Sequence, residues 1–94
     1  MRPVLHGDIS CTARALLAVQ PERRRALCKR ILCQAEQADC YVQKNRRLHP
    51  RWGNGSLMAA ARKYPLADEP MFDNTEYCQC TVLILQALIN RSVL

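Results

Sequence analysis

Aromatic residues are scarce in this chain of 94 residues: one tryptophan, one phenylalanine and three tyrosines. Aliphatic residues and alanine far outnumber them, a balance that favours helices over a β-sandwich. Apolar runs are short. Val82 to Leu85 is far too brief to cross a bilayer, and the opening MRPVLHGDIS lacks the apolar stretch of a signal peptide, so a cytoplasmic chain without membrane contact is expected. In a secreted protein the six cysteines (Cys11, Cys28, Cys33, Cys40, Cys78 and Cys80) would suggest three disulfides. Without an export signal they are expected to be reduced thiols. No C-x-x-C occurs, and Cys78 and Cys80 would point about 200° apart on a helix, so no metal site is expected. Walker, G-x-G-x-x-G and G-x-S-x-G patterns are also missing, which argues against a cofactor and leaves an enzyme as the minority reading. Of the eight acidic residues, Asp8, Glu22, Asp73 and Glu76 stand at helix starts. Glu36 and Asp39, at i and i+3, suit pairing with lysine or arginine better than sharing a proton.

What is present fits one helical domain, residues 1–94, with room for only a small core. Asp8 precedes Ile9, Ala13, Leu16 and Leu17 at helical spacing and suits the cap of a first helix ending near Val19. Pro21 and Glu22 open a long second helix, to about Lys44, whose stripe is Cys28, Ile31, Ala35, Ala38 and Val42, flanked by Leu27 and Leu32. Ser56 caps a short third helix, Leu57 to about Lys63, and Pro65 stops it. Asp73 with Glu76 reads as a capping box, and Phe72 with Tyr77 as a hydrophobic staple, for a fourth helix from Asn74 to about Arg91. That helix carries two stripes: Tyr77, Thr81, Ile84, Leu88, and beside it Cys78, Val82, Leu85, Ile89. So broad a band requires either a central position or a self-association seam. The expected fold is all-α, a small four-helix bundle-like domain in which long antiparallel helices 2 and 4 are crossed by short helices 1 and 3.

Two groups of residues invite a functional reading. The stretch HPRWGNGSLMAAA holds the only tryptophan; His49 before Pro50 forces an extended turn, and Gly53 and Gly55 give permissive backbone. Amides from Gly53 to Leu57 leading into a helix, with Arg46, Arg47, His49, Arg51, Trp52, Asn54 and Ser56 around them, form a candidate ligand or partner corner for an anion. The stronger reading is a structural corner where two helices meet. Cys33 and Cys40 share a face of the second helix among cations and are candidate reactive thiols, against a reading as small packing residues. Charge is one-sided: residues 1–51 carry eleven Lys and Arg against four acidic residues, and residues 52–94 three against four. Nucleic-acid binding would rest on Arg23, Arg24, Arg25, Lys29, Arg30 and the later arginines, but charge alone gives only salt-sensitive, sequence-blind attraction.

The segments DISCTARALLAV, HPRWGNGSLMAAA and EYCQCTVLILQAL resemble a group of short alphaproteobacterial proteins that carry a domain-of-unknown-function label. The resemblance implies a bacterial cytosolic setting and supplies no activity, cofactor or catalytic residue. The leading expectation is a non-enzymatic interaction module with a protein partner or a homodimer. The alternative is an anion or nucleic-acid binder using the basic half and the Trp52 corner.

Overall fold

Helix α1 (His6–Leu17) begins two residues before the expected aspartate. Asp8 therefore lies inside the first turn, and its Oδ2 reaches back to accept the N–H of Leu5 at 2.8 Å. A carboxylate can satisfy a free helical amide from either side of the boundary, so the residue type does not fix its position. Only residues 18–20 separate α1 from α2 (Pro21–Asn45), so the two form an antiparallel hairpin. Pro21 occupies the first turn of α2, and Arg46, left-handed at φ 57°, ends it. Leu27, Cys28, Ile31, Leu32, Ala35 and Ala38 are buried as the spacing requires, with Val42 half-buried. The computed structural model describes residues 1–92; the last two of the expected domain lie outside the described residues.

Helix α3 (Leu57–Ala61) is shorter than expected, its chain passing into turns through Lys63 and Tyr64. From there the polypeptide follows α1. Met58 donates its N–H to Asp8 Oδ1 at 2.9 Å, and Ala67 exchanges bonds with Arg14, N–H to carbonyl at 3.1 Å and Arg14 Nε to the Ala67 carbonyl at 2.7 Å. Residues 58–67 thus travel from the first turn of α1 to its last. Helix α4 (Thr75–Ser92) consequently starts at the end where α2 starts. Arg24 pairs with Glu76 at 3.2 Å and Glu36 with Arg91 at 2.8 Å, so residue numbers rise together along α2 and α4. These helices run parallel, which corrects the antiparallel expectation, and α4 packs mainly on α1. The fold is all-α, with α1 touching each of the other three helices.

Asn74, rather than Asp73, caps α4: its Oδ1 accepts the N–H of Tyr77 at 3.0 Å. Glu76 is thereby free to reach Arg24 instead of the cap. The staple survives in altered register, with the Phe72 and Tyr77 rings 5.1 Å apart. Of the two stripes on α4 only the first turns inward: Tyr77 and Ile84 are buried, with Cys80 beside them, and Thr81 and Leu88 are half-buried. The core they enter is rich in alanine. Ala13, Ala15, Ala35, Ala60 and Ala61 have no exposed surface, and such short side chains let the helices approach closely.

Candidate functional site

The Trp52 corner is tied together from within. His49 and Gly53 exchange backbone bonds of 2.9 and 3.2 Å, and the Nδ1 of His49 accepts the N–H groups of Arg51 and Trp52 at 3.0 and 3.1 Å. The imidazole stacks on Trp52 at 6.3 Å and meets the edge of Tyr41 at 5.1 Å, which pins the turn to α2. Asn54 Oδ1 accepts from Ser56 N–H at 2.9 Å, and Ser56 Oγ accepts from Ala59 N–H at 3.1 Å, as a cap should. Gly55, at φ +94°, lies so close to α2 that an added Cβ would sit 2.7 Å from the Asp39 Cα. The amides of Gly53, Ser56, Met58 and Ala59 therefore already serve internal acceptors. An anion here would depend mainly on the exposed side chains of Arg46, Arg47 and Arg51. The turn brings His49, Trp52, Asn54 and Ser56 together, and the side chains of His49, Asn54 and Ser56 accept backbone N–H groups within it.

Behind the corner Glu36 and Asp39 both pair with a cation, the Met1 ammonium rather than a lysine or arginine in the case of Asp39. The Met1 ammonium sits 2.9 Å from Glu36 and 3.0 Å from Asp39, while Arg2 N–H donates to the Gly55 carbonyl at 3.0 Å. Burial opposes the charge on the Met1 amine, but hydrogen bonds and attraction from Glu36 and Asp39 outweigh it and raise its pKa above the ordinary 8.0. The hydrogen bond from that amine holds the Asp39 pKa below 3.8. A raised amine stabilises the fold below its unfolded value and loses that contribution as pH rises through the folded one; a depressed carboxyl contributes above 3.8 and loses it on acidification. The difference in melting temperature between the native chain and Asp39→Asn is therefore expected to be greatest between about pH 4 and 8 and to shrink on both sides.

The thiols separate into two kinds. Cys11, Cys28 and Cys80 are buried, which raises each pKa, that of Cys28 to about 11. Cys33 and Cys40 are exposed on the open face of α2, against the packing reading, with Gln37 Nε2 3.8 Å from Cys33 Sγ. Iodoacetamide is expected to label Cys33 and Cys40 within minutes and the three buried thiols only on unfolding, as peptide mass mapping would establish. Cys78, part-buried, donates to the Phe72 carbonyl at 3.0 Å. Among the described residues no group of three or more His, Cys, Asp or Glu side chains could hold a metal ion.

Arg24 is removed from the basic surface considered for nucleic acid. It is buried, with its Nε 2.9 Å from the Leu16 carbonyl and 3.2 Å from that of Val19. The Asp8 bridge carries no local signal, because it joins segments 50 residues apart, whereas Arg24 acts on carbonyls only five to eight residues before it.

The outer face of α4 remains. Val82, Leu85 and Ile89 are 62%, 45% and 56% exposed, and no charged residue occurs between Glu76 and Arg91. Leu85 borders a groove shared with Leu5, Ile9, Phe72 and Leu88, while Val82 borders one shared with Arg25, Lys29 and Leu32 of α2. No helix among the described residues is long and apolar enough to cross a membrane.

Three helices around a short central one, with no metal cluster among the described residues and an apolar outer face, define a small α-helical domain. Residues 2–88 match the model of DUF7742, a domain of unknown function, and the chain belongs to that family. No curated protein and no solved structure matches the chain significantly.

Proposed function

We propose that this chain is a non-enzymatic interaction module of the cytoplasm that associates with copies of itself through the outer face of α4. The observation that carries the reading is the exposed row Val82, Leu85 and Ile89 on a helix without charge between its ends. Solvated helix faces ordinarily carry charged and polar residues. Apolar side chains gathered on a surface, here joined across a groove by Leu5 and Phe72, mark places where proteins meet. Six free thiols suit a reducing compartment, and the bacterial setting rests on the resemblance alone. Anion or nucleic-acid binding has less support, because the corner amides point inward and Arg24 is buried.

Light scattering coupled to size exclusion tests the proposal. A dimer is expected at high micromolar concentration. Val82→Glu is expected to return the protein to monomer with unchanged helicity, since the residue stands in solvent. A native chain that stays monomeric throughout would remove the reading.

A further inference from the structure

We infer that the trough between α2 and α4, on the side away from α1, receives an acidic amphipathic helix of a partner protein. The trough encloses about 620 Å³, and no residue of α1 lines it. Its floor is apolar, formed by Cys28 and Leu32 of α2 and by Leu83 and Ala87 of α4. Along α4 it extends from Gln79 to Asn90, about 17 Å at 1.5 Å per residue, or about three helical turns.

The walls decide the shape of the occupant. Both are α-helices, whose backbone groups are bonded internally. An incoming segment finds no strand edge to pair with and has to satisfy its own amides, which a helix does. A trough of this kind takes apolar anchors repeating every three or four residues along one helix face.

Charge decides the sign. Arg25 and Lys29, exposed and one turn apart, stand on the α2 wall, and no acidic side chain lines the trough. The carboxylates of the two helices are engaged elsewhere: Glu76 by Arg24, Glu36 by Arg91 and the Met1 ammonium, and Asp39 by that ammonium. Glu22, the remaining one, stands in the first turn of α2 and outside the trough. Among the described residues, therefore, neither Arg25 nor Lys29 has an ion-pair partner. Arg91 closes the far end with its charge already paired. Carboxylates at i and i+4 of a docked helix match the spacing of Arg25 and Lys29. A second copy of this chain would bring a net charge of +6 toward the same cations, and a nucleic-acid backbone has nothing to bury on the apolar floor. Leu85 and Ile89 do not line the trough, so this inference does not depend on the self-association proposed above.

Isothermal titration calorimetry at physiological salt tests the match. The probe is a capped synthetic peptide of about twenty residues, long enough to be helical alone, with leucine and alanine along one stripe and glutamate on both flanks. Micromolar binding is expected, and about tenfold weaker binding both of the same residues in scrambled order and of a peptide carrying lysine for glutamate. Arg25→Glu with Lys29→Glu should weaken the glutamate peptide by about tenfold or more, and Gln79→Glu with Gln86→Glu should do the same from the opposite wall. Arg62→Glu with Lys63→Glu, the same change of charge as the first pair but outside the trough, should weaken it by about threefold or less, because salt screens distant charges. All six residues are exposed, and circular dichroism verifies that each variant is folded. No binding of the glutamate peptide, equal binding of the scrambled one, or equal weakening by the outside pair overturns the inference. So does a short DNA duplex that binds as tightly and weakens with the same trough variants, since the cations would then serve nucleic acid. Light scattering on the same samples reads self-association separately, so either proposal can fail without the other.

Discussion

Arg24→Met is expected to destabilise the fold by about 3 kcal/mol in urea unfolding, whereas Glu76→Gln is expected to change it by less than about 1 kcal/mol. The asymmetry follows from what each partner loses. Glu76 is more than half exposed, so water replaces most of the ion pair. The guanidinium is buried and donates to the carbonyls of Leu16, Leu17 and Val19 at 2.9, 3.4 and 3.2 Å. Those carbonyls lie at and just past the end of α1, beyond the reach of most helical amides: the Leu16 carbonyl also accepts the Val19 N–H at 3.2 Å, so those of Leu17 and Val19 depend most on the guanidinium. Methionine fills the space and supplies no donor, and an acceptor left unpaired in the interior costs about 1–3 kcal/mol. Arg24→Lys should recover less than half of the loss, because one ammonium cannot span three carbonyls and a carboxylate. For a chain of this length, total stability is on the order of 5–10 kcal/mol, so the methionine variant loses a large fraction of it. Equal effects from Arg24→Met and Glu76→Gln would show that the ion pair, rather than the capping of α1, carries the contribution.

Legibility in the sequence tracked the distance over which each determinant acts. The start and stripe of α2 were readable because Pro21 and the spacing from Cys28 to Ala38 act within a few turns. Ser56 is legible as a cap for the same reason. The cap of α4 slipped by one residue, from Asp73 to Asn74, because adjacent residues of equal capping ability leave the choice to packing. The parallel course of α2 and α4 was not readable. It depends on residues 58–67 following α1, fixed by Asp8 with Met58 and by Arg14 with Ala67, and no periodicity encodes those pairs.

The candidate sites divide in the same way. Gathering His49, Trp52, Asn54 and Ser56 into one corner needed only turn chemistry, and the sequence supplied it. The corner amides turn inward because His49 Nδ1 falls within reach of two of them, which depends on the ring being held by Tyr41 and Trp52. The run Arg23, Arg24, Arg25 reads as surface charge, although Arg24 lies over the end of α1. The surplus apolar stripe of α4 was legible, and it is the feature that packing within one chain leaves uncovered.

Asp8→Ala is expected to lower stability by about 3 kcal/mol, a fall of roughly 10–20 °C in melting temperature for a domain of this size. The carboxylate is 6% exposed and joins two helix starts, accepting from Leu5 at 2.8 Å and from Met58 at 2.9 Å. Alanine removes both acceptors and leaves two part-buried amides unpaired. Asp8→Asn keeps the shape but not the function: its amide has one acceptor, so whichever orientation it adopts sets an NH₂ against a backbone N–H. The asparagine variant should therefore lose at least half as much as alanine. Hydrogen exchange distinguishes this from general weakening. Protection should fall first at Met58 and Leu5, followed by Ala59 and Ala60 as α3 loosens from α1, before the amides in the middle of α2 are affected. Loss of less than about 1 kcal/mol in Asp8→Ala would mean that water replaces the carboxylate at both amides, and that α3 is held by Leu57, Ala60 and Ala61 in the core alone.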